Sequence, residues 1–126
     1  MPASDIAAIE AVLQTYFDGL YEGDAGKLAS AFHETADLRS VAADGSLAVL
    51  PRAQWLEGVK SRASAKSQGL ERRDWVVSID RSGPGTAFAK VQCQIPPRYF
   101  TDYLSLAKVG GQWKVVAKTF HTDTRG

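Results

Sequence analysis

The chain has 126 residues, 44% hydrophobic and 23% charged, and its fifteen Lys and Arg against fourteen Asp and Glu leave a formal net charge of +1. That length suits a single domain, residues 1–126, with a real core, and the balanced charge argues against nucleic acid or an anionic membrane as a general partner. One cysteine, Cys93, excludes an intrachain disulfide; no signal peptide or bilayer-length apolar run is legible, so the cytoplasm is the expected compartment.

Ser4 or Asp5 can cap a first helix, along which Ile6, Ile9, Val12, Leu13, Tyr16, Phe17 and Leu20 recur at spacings of three and four. Gly23 stops it. Asp24 can cap a second helix that buries Leu28, Ala31 and Phe32. Residues 36–43 read as a strand, Asp44-Gly45 as a hairpin turn and Ser46–Leu50 as the returning strand. Pro51 suits the first position of a third helix, with Trp55, Leu56 and Val59 as its stripe. Residues 62–68 are small and polar, ending at Gly69, and read as a surface loop.

Four strands complete the pattern. Glu71–Asp80 alternates around Trp75, Val77 and Ile79. Thr86–Ile95 puts Ala87, Ala89, Val91, Cys93 and Ile95 on one side, and Pro96-Pro97 marks a corner. Arg98–Val109 and Gln112–His121 are joined by Gly110-Gly111, and Thr122–Gly126 reads as a loose tail. Helix, helix, hairpin, helix and antiparallel meander give an α+β class. No glycine-rich loop opens a helix, so no nucleotide cofactor is expected.

These residues carry a resemblance. The corner Tyr16-Phe17-Asp18-Gly19-Leu20-Tyr21-Glu22-Gly23-Asp24, the run Phe32-His33-Glu34-Thr35-Ala36-Asp37 and the segment from Asp102-Tyr103-Leu104 through Trp113 to His121 are similar to NTF2-like (SnoaL-like) cone proteins, and within them to the branch called "Putative lumazine-binding". The resemblance covers essentially the whole chain. It implies three N-terminal helices packed on a curved, six-stranded, mostly antiparallel sheet, the cystatin-like cone, with a pocket at the wide end. It also implies a homodimer formed through the outer sheet face. It implies no particular reaction, because one fold hosts many chemistries.

Tyr16 lies on the apolar face of the first helix. The resemblance to the ketosteroid isomerases of this superfamily implies a hydrogen-bond donor to a substrate oxyanion; the plain alternative is a core tyrosine bonded to the backbone. Asp102 shares its strand face with Leu104 and Leu106. In a pocket it would act as an acid or donor; the alternative is an ion pair with a lysine such as Lys118. In those isomerases the general base stands eight residues after the phenylalanine ending the second helix, which here, counting from Phe32, is Ser40. Serine alone cannot abstract a carbon-bound proton.

His121 ends the last strand and is expected on the face of Trp113 and Val115, near the pocket mouth or capping the sheet edge. Strict alternation puts Lys118 on the opposite face with Val116 and Phe120, either a cavity amine or an outward-facing charge. His33 reads as structural, and two distant histidines predict no metal site. Cys93 reads as an inert buried thiol. Trp55 and Trp75 are core candidates able to stack on a planar ring. Arg72-Arg73, with Lys60, Arg62 and Lys66 upstream, form a basic cluster, either an anion attractor or a solvated face. The leading expectation is a small-organic-molecule binder whose cone is lined by Tyr16, Trp55, Asp102, Leu104, Lys118 and His121. The alternatives are a proton-transfer enzyme, an isomerase or dehydratase-like lyase, using Tyr16 and Asp102 with His121 or Lys118 moving the proton, and a non-catalytic dimerisation module.

Overall fold

The computed structural model describes residues 4–125. Ser4 starts the first helix: its hydroxyl accepts the Ala7 amide at 3.1 Å, and α1 runs Asp5–Glu22. Ile9, Leu13, Tyr16, Phe17 and Gly19 form its buried face, as a period of 3.6 requires. Gly23 ends it at φ 67, a left-handed conformation that suits glycine. The Asp24 side chain accepts the Lys27 amide and caps α2, Ala25–Ala31.

A hairpin follows, β1 (Asp37–Val41) and β2 (Leu47–Pro51), turning at Asp44-Gly45 with Gly45 at φ 86. Pro51 is the extended cap of α3, Arg52–Ser61, rather than its first helical residue. β3 (Trp75–Ser82), β4 (Thr86–Ile95), β5 (Arg98–Val109) and β6 (Gln112–Thr124) form the meander. The six strands lie in the order β2-β1-β6-β5-β4-β3, antiparallel except where β1 runs parallel to β6. The α+β cone expected from the sequence is therefore the observed fold. α1 and α3 contribute Ile9, Leu13, Trp55 and Val59 to one core with Ala89, Val91, Leu104 and Val115 of the sheet. The His33 amide donates to Val115 O at 2.8 Å and ties the end of α2 to β6.

Three expectations are corrected. β3 begins at Trp75, not Glu71, and a bulge between Val76 and Ser78 breaks its alternation. As an edge strand it leaves Trp75 44% exposed, so Trp75 is not core. Thr122–Thr124 continue β6 by pairing with Arg98–Phe100, so they are not a loose tail, and Gly126 lies outside the described residues. Residues 62–70 are the surface loop expected, folded into a shelf by its own bonds: Lys66 N donates to Tyr21 O at 3.0 Å, Leu70 N to Ala65 O at 3.0 Å, and Ala65 is buried.

The third correction matters most. Leu106 pairs with Val115 but Ser105 pairs with Ala117, so Val116 is an extra residue in β6. A bulge resets the period-two alternation of a strand. Trp113 and Val115 point into the core before it; Lys118 points into the core after it. Lys118 thus shares the face of Trp113 and Val115, from which strict alternation separates it, and His121 is turned outward. Among the described residues, no helix is long and apolar enough to cross a membrane.

Candidate functional site

Asp102 sits at the middle of β5, fully buried, with Leu104 and Leu106 on the same face. β6 places Lys118 opposite Leu104. α1 brings Tyr16 across from the helical layer, also fully buried. The Tyr16 hydroxyl donates to Asp102 Oδ2 in a very short hydrogen bond. Lys118 Nζ donates to the Tyr16 oxygen at 2.8 Å and lies 3.8 Å from Asp102 Oδ2. The two candidate readings for Asp102 therefore converge: it is both buried beside Tyr16 and paired with Lys118.

The ammonium is held in an aromatic box. It lies 4.7 Å from the Phe120 ring centroid, 5.2 Å from that of Tyr16 and 5.5 Å from that of Trp55, where ring faces attract a cation. Trp55 in turn packs on Phe32 at 4.9 Å, and Phe32 on Tyr16 at 5.4 Å. Cys93, from β4, is a weak donor to Asp102 Oδ2 at 3.8 Å. Burial pushes the Tyr16 phenol well above its ordinary range, and the charge of Asp102 pushes it further. Burial, then Asp102, also drives the Cys93 thiol up, so it stays protonated and unreactive.

The donor and acceptor count is uneven. A phenol has one proton, and that of Tyr16 goes to Asp102. Lys118 has three N–H donors, and Tyr16 takes one. Asp102 Oδ1 is buried with no hydrogen-bond partner; Arg52 Nε, at the start of α3, is the other such side-chain atom among the described residues. A vacant carboxylate acceptor therefore stands beside an ammonium with donors to spare. The cluster is closed over by its own neighbours: Trp55 and Lys118 are 6% exposed. The openings lie nearer the rim. One is a cavity of ≈ 30 Å³ bounded by Leu20, Val59, Arg62, Ser64, Ile95 and Arg98. Another is a groove of ≈ 560 Å³ along residues 69–75 and the β4–β5 turn.

Of the predicted site residues, the fold gathers Tyr16, Trp55, Asp102, Leu104 and Lys118. His121 is not among them: it is exposed on the outer face and contacts Asp123 at 3.0 Å. Ser40 is half-buried on β1 opposite Ala48. Sequence reasoning missed the roles of Phe32, Phe120 and Cys93 around the cluster. Only the pairing of Val91 with Asp102 and of Asp102 with Phe120 across the strands could have signalled the last two.

A family model described as "Putative lumazine-binding" matches residues 4–121. No curated protein matches the chain. Among solved structures, an NTF2-like protein of unknown function from Shewanella baltica OS155 shares 26% identity and a TM-score of 0.86, over 98% of this chain and 100% of that one. One from Methylobacillus flagellatus KT shares 27% identity and a TM-score of 0.83, over 98% and 96%. A ketosteroid isomerase-like protein from Erwinia carotovora atroseptica SCRI1043 shares the fold at 14% identity and a TM-score of 0.74, over 98% and 100%.

Proposed function

The chain belongs to the NTF2-like family described as "Putative lumazine-binding", and on that premise we propose that it binds a small planar heterocycle with a lactam or imide edge. Lys118 donates to the ring carbonyl and Asp102 Oδ1 accepts the adjacent ring N–H. The observation that carries this reading is the unpartnered Asp102 Oδ1 beside Lys118. A buried acceptor left unsatisfied costs about 1–3 kcal/mol, and a ligand N–H relieves that cost. Trp55, Phe32 and Phe120 supply ring faces for stacking. Entry is from the wide end, where the half-buried Phe100 and Phe120, 6.4 Å apart, must turn aside.

The test is calorimetric titration of lumazine, a pteridinedione that carries this edge. Saturable binding is expected, weakened at least about ten-fold in Lys118→Met and Asp102→Asn, since a hydrogen bond to a charged group contributes about 1.5–3 kcal/mol. Absence of saturable binding, or equal affinity in both variants, refutes the reading.

The proton-transfer alternative draws on the 2.8 Å contact between Lys118 and the Tyr16 hydroxyl. Against it, the Tyr16 proton is already directed at Asp102, and Ser40 stands where a base is needed. We also propose a homodimer through the outer sheet face. In support, Trp75, Phe88 and Tyr103 are 44%, 39% and 42% exposed there, and Phe88 stacks on Tyr103 at 5.9 Å. Light scattering of Phe88→Glu should give a monomer; an unchanged mass places the interface elsewhere.

A further inference from the structure

Three of the eight arginines find carboxylates. Arg39 meets Asp37 at 2.8 Å, Arg72 meets Asp18 at 2.6 Å and Asp74 at 2.9 Å, and Arg81 meets Asp5 at 3.1 Å. Arg72, part of the basic cluster that the sequence leaves as an anion attractor or a solvated face, is therefore already neutralised. Among the described residues Arg62, Arg73, Arg98 and Arg125 form no ion pair or side-chain hydrogen bond; Arg73 and Arg125 border the wide groove, Arg62 and Arg98 the small cavity.

Arg62 and Arg98 line the same small rim cavity, of ≈ 30 Å³. Arg62 caps the end of α3 and opens the folded shelf; Arg98 is the first residue of β5. Arg98 has the strand parity of Phe100 and Asp102, four residues before Asp102, so it stands on the same inner row about 14 Å nearer the mouth at 3.4 Å per residue. Two like charges sharing one recess repel. Burial and the Arg98 charge both hold Arg62 below the usual arginine range.

The recess has a third donor. Ser64 Oγ accepts the Ser67 amide at 3.0 Å, and its own proton goes to no protein acceptor among the described residues. The shelf that carries Ser64 abuts Gly23, where an added Cβ would come within 2.8 Å of Ser64 Cβ. Ser64 is therefore packed in place, while Arg62 and Arg98 are exposed at the edge of the recess. A volume of ≈ 30 Å³ takes one or two waters or a single oxyanion head group, not a ring.

We infer that Arg62, Arg98 and the Ser64 hydroxyl form an oxyanion subsite at the mouth of the cone, which takes a carboxylate or phosphate group. An oxyanion between the guanidinium groups turns their repulsion into charge-assisted hydrogen bonds, which arginine makes in bidentate geometry. The subsite adds an acidic tail to the ligand proposed above and rests on that reading only for the ligand's ring.

The test titrates sodium acetate and inorganic phosphate separately, at constant ionic strength, into the whole protein. Binding is followed at the Nε–Hε NMR signals of arginine. Saturable shifts are expected at Arg62 and Arg98, with Arg39 and Arg72 unmoved. Arg98→Gln should weaken the Arg62 response at least ten-fold. The anion with the tighter curve identifies the head group. Shifts that grow linearly without saturation, that are equal at Arg39, or that survive Arg98→Gln show only charge screening and overturn the inference. Neither probe contains a heterocycle, so failure here leaves the lumazine titration standing, and failure there leaves this result standing.

Discussion

Lys118→Met is the sharpest perturbation of this fold. It removes the cation paired with Asp102, a carboxylate with no exposed surface, and leaves a methionine of similar length in the aromatic box. At 3.8 Å and an effective dielectric near 20, the attraction lost is about 4 kcal/mol. Breaking a buried pair by deleting one partner costs about 3–5 kcal/mol, because the remaining charge is left uncompensated. For a chain of 126 residues, about 2.1 cal/mol/K of unfolding entropy per residue converts 3 kcal/mol into a fall in Tm of about 11 °C. Asp102→Asn should cost about as much, by stranding the ammonium. The double variant should be no worse than the poorer single, since its asparagine still accepts the Tyr16 proton and no charge remains buried. Thermal and urea denaturation of the four proteins form a double-mutant cycle with an expected coupling of about 3 kcal/mol. Additive losses would show that the two charges do not feel each other, and the reasoning would fail.

Two further outcomes follow from single residues. Titration at 295 nm should find one of the four tyrosines silent above pH 10 until the protein unfolds, and that component should vanish in Tyr16→Phe. The sign is that of a raised folded-state pKa: the stability linked to Tyr16 is complete below the unfolded value of about 10 and is lost as pH rises beyond it. Ordinary ionisation of all four residues in the native state would contradict its burial against Asp102. Gly19→Ala places a Cβ 2.8 Å from Leu28 Cδ2 and 3.2 Å from the Leu28 backbone nitrogen, so α1 and α2 must move apart. The expected loss is about 1–3 kcal/mol by urea denaturation, despite alanine's better helix propensity; an unchanged midpoint would mean the corner yields freely.

Much of the cone was legible because local chemistry writes it. Ser4, Asp24 and Gly23 mark helix ends through side-chain capping and a left-handed turn, which depend on neighbours in sequence. The inward row of β4 and the burial of Asp102 follow from strict alternation. The same rule misplaced Lys118 and His121, because Val116 bulges out of register with β5 and no residue type announces it. Trp75 misled for another reason: an alternating strand reads alike at the centre of a sheet and at its edge, and only the strand order puts β3 last.

By itself, then, the sequence determined the helices, the strands and the presence of a carboxylate on an apolar face, since each is a matter of spacing along the chain. Tertiary structure alone decided that this carboxylate meets Tyr16 and Lys118 rather than one of them. It also decided that Arg72 is neutralised while Arg62 and Arg98 are left facing each other. Partners 16 to 102 residues apart are joined by register, curvature and a bulge. Those are properties of how strands pair, and no periodicity within one strand encodes them.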